Sequence, residues 1–398
     1  MDIDKNKFEL DMKDFEEDRY SRLKLIEWWD QERLVNATIM VVGAGAIGNE
    51  LVKNLSLLGV GRIIIVDMDR IEQTNLTRSV LFRDSDVERY KSEVACERAK
   101  EINSDIKVIN LNSNIITDVG LGVFKDVDIV LGGLDNREAR LAINQACWKV
   151  NTPWIDGAIE VLNGFVRVFI PPDGACYECT MTENDWKLIK NRKSCALISK
   201  DQILEGKIPT TPTSSSVIAG IQVQEMLKML HDDRKLPFLG GKCFVFNGLT
   251  HDSFVVEYQR KSDCMSHDTY FNIIKKDWSV METSIRELYL QAQNDLGEGV
   301  ILEFDRDIAI NAECSCGAKK DLFIQVNKLN FDDMVCPKCN ATMSFESMHS
   351  IKGNESFLDK TLKELDIPLY HIIGARNKST YIYYEFSKDR SKILREFL

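Results

Sequence analysis

Apolar and polar positions in the first two thirds of the chain switch repeatedly between a two-residue and a helical rhythm. Ala37–Val42 is apolar and partly β-branched, as a buried strand is. Gly43–Gly48 breaks the run as a glycine turn, Asn49–Leu58 reads as a helix, and Arg62–Val66 as the next strand. A helix over Lys91–Ile102, strands over Lys107–Leu111 and Val127–Leu131, and a helix over Arg137–Trp148 continue the alternation. Strand and helix at this pace predict parallel βαβ units, hence an α/β, Rossmann-like, doubly wound and mostly parallel sheet.

Around this core the rhythm weakens. Residues 1–36 read as a polar arm and an amphipathic helix built on Leu23, Ile26 and Trp29. Pro171–Thr213 is a long polar crossover, after which Ser214–Ser216 are expected to cap an apolar helix over Val217–Leu230. Strands follow at Lys242–Asn247 and Ser253–Tyr258. Composition shifts near Asp268; beyond it helices are expected near Ser284–Gln293 and Leu358–Leu365, and a strand near Tyr381–Phe386. The organisation read from this is an arm (1–36), a nucleotide-type unit (37–267) with a crossover loop at 180–213, and a smaller C-terminal α/β domain (268–398).

Composition narrows the classes. The chain has 398 residues, 44% hydrophobic and 28% charged, which suits a folded globular protein. A net charge of −11 argues against binding a nucleic-acid backbone, which needs local positive charge. The best uncharged apolar stretch, Ala37–Asn49, is too short for a membrane span. The first eighteen residues carry eight acidic side chains and three lysines, the reverse of a secretory leader. Eleven cysteines without such a leader point to a reducing, cytoplasmic setting in which thiols bind metal or do chemistry.

Gly43-Ala44-Gly45-Ala46-Ile47-Gly48 has GxGxxG spacing between a predicted strand and a predicted helix. Glycines let the backbone approach a phosphate, and the helix N-terminus offers it unpaired N–H groups. Asp67 ends the next strand nineteen residues on, where a carboxylate accepts bonds from ribose hydroxyls. A nicotinamide enzyme shares these features, but Arg78 and Lys91 near the same turn suit a triphosphate, whose charge needs cationic clamps. Asp135, in Gly133-Leu134-Asp135-Asn136, ends another strand and suits a magnesium ion between phosphates.

As an ordered set, Arg19-Tyr20-Ser21-Arg22, Gly43–Gly48, Asp67–Asp69, Asn75–Arg78, Lys91 and Leu134-Asp135-Asn136 resemble the ThiF/MoeB/HesA superfamily over about residues 15–267. Those proteins activate ubiquitin, ubiquitin-like proteins and sulfur carriers. The resemblance implies that Arg22 reaches the triphosphate, in homodimers often from the partner subunit. It implies that Asp67 and Asp69 belong to the nucleotide site, with Asp67 on the ribose. Asn75 and Arg78 would contact phosphates, Lys91 would neutralise them, and Asp135 would ligate magnesium. Ala46 stands where many members have glycine, without disturbing the three spacing glycines.

Two cysteine clusters predict two structural zinc sites. Cys176-x-x-Cys179 in a Pro/Gly-rich turn pairs naturally with Cys264-x-x-His267, giving three thiolates and an imidazole. The superfamily typically uses two CxxC pairs there. Cys314-x-Cys316 and Cys336-x-x-Cys339, nineteen residues apart, resemble a zinc ribbon.

Of the remaining thiols, Cys96, Cys147 and Cys243 fall inside predicted elements and read as core. Cys195 lies in the crossover among Lys187, Lys190, Arg192, Lys193 and Lys200, cations that favour a thiolate. The resemblance places the acceptor cysteine in this crossover, upstream of a Thr/Pro stretch such as Ile208–Thr213. It implies ATP-dependent adenylation of the C-terminal glycine carboxylate of a ubiquitin-like β-grasp protein, then a thioester on Cys195 for transfer to a conjugating enzyme. The chain's own Arg395–Leu398 end lacks Gly-Gly, so it is not expected to be the activated substrate. The alternatives are a sulfur-carrier adenylyltransferase without the thioester and an inactive adenylation-fold binding subunit.

Overall fold

A computed structural model describes residues 17–195, 209–231, 233 and 235–397, with the side chains of 190–195 outside the description. The helices are α1 (Gln31–Asn36), α2 (Ala46–Leu58), α3 (Lys91–Ile102), α4 (Leu121–Lys125), α5 (Arg137–Val150), α6 (Tyr177–Thr180), α7 (Glu183–Cys195), α8 (Pro212–Leu230), α9 (Ile285–Leu296) and α10 (Arg390–Leu394). The first sheet uses β1 (Thr38–Val42), β2 (Arg62–Val66), β3 (Lys107–Leu111), β4 (Ile129–Gly132), β5 (Trp154–Glu160), β6 (Asn163–Phe169), β7 (Lys242–Asn247) and β8 (Asp252–Glu257). The second uses β9 (Ile273–Lys276), β10 (Ile301–Glu313), β11 (Lys319–Gln325), β12 (Ser344–Ile351), β13 (Ile372–Asn377) and β14 (Thr380–Phe386).

The first sheet runs β3-β2-β1-β4-β5-β6-β7-β8, parallel through β5 and antiparallel beyond it. Thr38–Val42 is buried along its whole length because both faces of the sheet are covered, as expected of a central parallel strand. One face packs Ile39, Val41, Ile63 and Ile65 under α2, α3 and α8; the other packs Met40, Val42, Ile64 and Val66 under α4 and α5. The α/β doubly wound class is therefore as expected, with the antiparallel extension carrying the chain to an exposed edge at β8.

The second sheet, β11-β10-β13-β14-β9 with β12 on β10, closes over α9 around Leu288, Leu302, Ile373 and Tyr384. It docks on α4 and α5 of the first unit. Leu121 donates its N–H to His371 Nδ1 (3.2 Å), and His371 Nε2 lies 3.0 Å from Asp305 Oδ1. Arg306 Nε donates to the same carboxylate (2.8 Å), and Lys149 Nζ stands 3.8 Å away. Tyr370 OH donates to Asp126 (3.0 Å), and Tyr270 N–H to the Lys149 carbonyl (2.8 Å).

Four local expectations are corrected. Residues 23–29 do not form the amphipathic helix: Leu23–Leu25 is a single 3-10 turn, and the helix starts at Gln31, capped by Asp30. The crossover is not loop throughout, since α6 and α7 lie within it; residues 196–208, Lys200 among them, are outside the described part. Helix α8 is capped by Thr211, not Ser214–Ser216, because Thr211 Oγ1 accepts from Ser214 N–H while Pro212 fills the first turn. Leu358–Leu365 holds only a 3-10 turn at Lys363–Leu365, its Leu362 and Lys363 N–H groups being taken by the carbonyls of Thr283 and Val280.

Candidate nucleotide site and metal centres

The site grows from the first βα turn. Gly43 has φ +89°, and a Cβ there would stand 2.6 Å from the Gly133 carbonyl oxygen. At Gly48 a Cβ would sit 1.8 Å from the Gly43 oxygen, so the chain folds back on itself as only glycine permits. Gly45 caps α2 and faces open space. Asp67, just past β2, accepts the Ala44 N–H (2.7 Å) and the Asp69 N–H (2.8 Å), tying the glycine turn to the loop after β2. Burial lifts the Asp67 carboxyl above the ordinary carboxylate range, against the pull of Lys91 and those two N–H groups.

Lys91 opens α3 beside this carboxylate, with Nζ 2.9 Å from Asp69 Oδ2 and little of its side chain exposed. Asn75 Oδ1 accepts the Glu72 N–H (3.0 Å), and Arg78 Nη1 donates to the Thr74 carbonyl (2.7 Å), so both order the loop that flanks the turn. Asp135 is exposed just past β4. β1 lies between β2 and β4, so Gly43, Asp67 and Asp135 all stand at the carboxyl ends of adjacent parallel strands. The connections diverge there, which is where open α/β sheets bind ligands.

Asn49 was not singled out from sequence. Fully buried in the first turn of α2, it donates to the Ala44 carbonyl (2.7 Å) and accepts the Leu81 N–H (2.8 Å), bracing the glycine turn against the Arg78 loop. A buried amide one residue past the glycine motif is the signal that would have found it.

Arg22 stands apart. Arg19 Nη1 donates to the Ile102 carbonyl (2.7 Å), and the Asn103 amide donates to Tyr20 OH (2.7 Å), which also rests on Gly59. Ile102, Asn103 and Gly59 mark the C-terminal ends of α3 and α2, whereas the site lies at their N-termini. Twelve and thirteen residues of helix place the two ends roughly 18–20 Å apart. Within one chain, Arg22 is not brought to the other site residues. Cys195 is the last residue of α7; its side chain lies outside the described residues.

Both four-ligand clusters assemble. The ligand atoms of Cys176, Cys179, Cys264 and His267 lie within 4.8 Å of one another, as do those of Cys314, Cys316, Cys336 and Cys339. Cys176 Sγ is 3.7 Å from Cys179 Sγ and 3.4 Å from Cys264 Sγ, and His267 Nε2 is 3.4 Å from Cys179 Sγ. In the ribbon, Cys314–Cys339 and Cys316–Cys336 approach to 3.5 and 3.6 Å. Zinc with Zn–S near 2.3 Å gives a tetrahedral edge of about 3.8 Å, so both donor sets fit that ion. Burial pushes the Cys176 thiol up, and the buried Asn144 amide beside it pulls the other way. In the ribbon the Lys338 N–H pulls Cys336 down to about 6, again toward the ligating form.

A doubly wound sheet with a glycine turn, an acidic strand end and a nearby lysine at its branch point defines a nucleotide-binding α/β unit. Residues 17–266 match the ThiF family, and the chain belongs to it. Among curated relatives, the ubiquitin-like modifier-activating enzyme 5 of Arabidopsis thaliana is 28% identical over 249 residues, 56% of this chain and 55% of that protein. The Aedes aegypti protein of that name is 31% identical over 234 residues, covering 53% and 56%. The chain thus spans just over half the length of these relatives. Among solved structures, Escherichia coli MccB crystallised with ATP superposes with a TM-score of 0.55 at 27% identity, covering 64% of this chain and 75% of that one.

Proposed function

We propose that this protein adenylates the C-terminal glycine carboxylate of a ubiquitin-like β-grasp protein and then holds that protein as a thioester on Cys195. The supporting observation is the convergence of Gly43–Gly48, Asp67, Lys91 and Asp135 at one branch point of the sheet. The N-terminus of α2 and the Ala44–Gly45 backbone face the space in which a phosphate chain would lie. Asp67 presents its free lone pairs to a ribose, and Lys91, with Arg78 and Asn75 on the flanking loop, faces the phosphates. Magnesium at Asp135 would neutralise charge between phosphates as pyrophosphate departs.

In the first step a carboxylate oxygen of the partner attacks the α-phosphorus, and the bond to pyrophosphate breaks with its electron pair on the leaving group. In the second the Cys195 thiolate attacks the acyl carbon, and the C–O bond to AMP breaks. The exposed edge strand β8, with Phe254, Val255 and Val256 uncovered, offers free main-chain groups and apolar surface to a β-rich partner. The thiol clusters suit a cytoplasmic enzyme, and a conjugating enzyme would take the thioester onward.

Since the adjoining Arg19 and Tyr20 are held at the far ends of α2 and α3, Arg22 would act on the triphosphate of a second copy, making the working unit a homodimer. Pyrophosphate exchange that requires ATP and a glycine-terminated ubiquitin-like protein tests the chemistry. Mixing Arg22→Ala with Lys91→Ala tests the dimer: each variant alone is expected to be inactive, and the mixture to recover activity. A blank exchange with every such partner refutes the adenylation, and no recovery on mixing refutes the reach from a second copy.

A further inference from the structure

Asp156 is fully buried on β5 between two arginines. Arg167, its cross-strand neighbour on β6, donates from Nε (2.9 Å) and Nη2 (2.5 Å) to Oδ2. Arg140 on α5 donates from Nε to Oδ1 (2.9 Å). One arginine held by two bonds already neutralises one carboxylate, and a second buried cation is costly unless it has another task. Arg140 has one: its Nη2 donates to the Leu134 carbonyl (2.5 Å) and to the Gly157 carbonyl (3.3 Å).

Leu134 immediately precedes Asp135. The loop is pinned on both sides of that grip. Gly133 donates its N–H to the Val42 carbonyl (2.9 Å), and the Asn136 side chain caps α5 by accepting from Ala139 N–H (2.7 Å). Asp135, between them, is left exposed at the strand end. On α5 the same stripe continues at four-residue spacing. Asn144 accepts the Tyr177 N–H (2.8 Å) and lies against Cys176, and the Trp148 ring stands 5.4 Å from that of His267. The other arginine closes the circuit, since the Arg167 guanidinium lies 5.1 Å over the Tyr177 ring, between the cysteines of the first thiol cluster.

The geometry points to Arg140 as a positioning residue for the magnesium ligand: held by Asp156 and Arg167 from behind, it fixes the Leu134 carbonyl and so aims the Asp135 carboxylate. This rests on the adenylation reading, in which Asp135 takes the metal that accompanies ATP. Groups that orient a metal ligand in this way change metal affinity by about 10- to 100-fold when removed. The inert-brace alternative predicts a loss that no metal concentration repairs and that does not depend on Asp135.

The experiment is calorimetric binding of ATP to the full chain across a magnesium titration, for wild type, Arg140→Lys, Arg140→Gln, Asp135→Asn and the Arg140→Lys/Asp135→Asn pair. Asp156 keeps Arg167 in all of them, and zinc content and a melting curve check folding. The half-saturating magnesium concentration is expected to rise about tenfold or more in Arg140→Lys. Affinity should return to within about twofold at saturating magnesium, and the change should add nothing in the Asp135→Asn background. Unchanged magnesium dependence, a loss that persists alongside Asp135→Asn, or failure of both Arg140 variants to fold with zinc overturns the positioning role. A wild type that binds no ATP at any magnesium concentration instead overturns the adenylation reading on which it rests.

Discussion

Alanine at two glycines of the same turn should have opposite consequences. At Gly48 a Cβ would stand 1.8 Å from the Gly43 oxygen and 2.7 Å from its carbonyl carbon, both main-chain atoms that no side-chain rotation moves. Overpacking of mobile neighbours costs about 1–3 kcal/mol, so a clash with fixed backbone should cost at least about 3 kcal/mol. That corresponds to a melting temperature lower by roughly 5–10 °C. At Gly45 nothing among the described residues lies within 4 Å and the backbone is extended at φ −78°, a conformation alanine adopts freely. The gain from a stiffer unfolded chain, about 0.4–1 kcal/mol, offsets the weaker helix cap, leaving Gly45→Ala near wild-type stability. Its methyl group would nonetheless fill the space a phosphate needs. Losing one charge-assisted bond at about 1.5–3 kcal/mol means roughly 10- to 100-fold weaker ATP binding. Scanning fluorimetry and calorimetric titration of the two variants measure both quantities. Wild-type ATP affinity in Gly45→Ala would refute the idea that this turn cradles phosphate.

Cys195→Ala should keep pyrophosphate exchange and lose the reductant-sensitive adduct with the partner, read on non-reducing gels. Zinc analysis should give two equivalents for wild type and one each for Cys264→Ser and Cys336→Ser, as two separate donor sets require. The acid limb of stability should trace to His371. Its Nδ1 accepts the Leu121 N–H, so the ring is neutral with its proton on Nε2, and burial lowers its pKa below 6.5 despite Asp305. The unfolded chain then binds a proton first, and stability is lost as pH falls from about 6.5 toward the lowered value. Asp305 enters only in a more acidic window. Burial raises it, but Arg306, His371 and Lys149 together hold it well below 3.8. His371→Gln, which keeps an acceptor and a donor, should flatten the melting profile just below about pH 6.5.

Where local and tertiary preferences agree, the pattern of side chains was a sufficient guide. Lys91–Ile102, Lys107–Leu111 and Arg62–Val66 begin and end where periodicity put them. The amphipathic spacing at Leu23, Ile26 and Trp29 misled because Trp28 and Trp29 are drawn to the ring of His231, two hundred residues away, with the Asp30 N–H bonded to its Nε2 (3.0 Å). Both thiol clusters were legible because ligand spacing is a local property. The Asn49 brace and the Arg140–Asp156–Arg167 chain were not, since each joins segments that meet only in the fold. Asp156 beside Trp154 and Ile155 was the visible hint, a charge in the buried half of its strand.

The family likeness stops at Ser266, but the mechanics of the molecule do not. Gly120 and Gly122 lie against the Tyr370 backbone, Leu121 is buried beside Ile372 and Tyr383, and the carbonyl of Thr117 is shared by Arg306 and Gln325. A cut at residue 267 would strip α4 and α5 of this cover, baring Leu121 and freeing Lys149 from its counter-ion. Because α5 begins at the Asp135 loop, damage there would spread directly to the glycine-turn end of the sheet. What looks like an appended module in evolutionary terms is, in engineering terms, the keel of the half that matches the family.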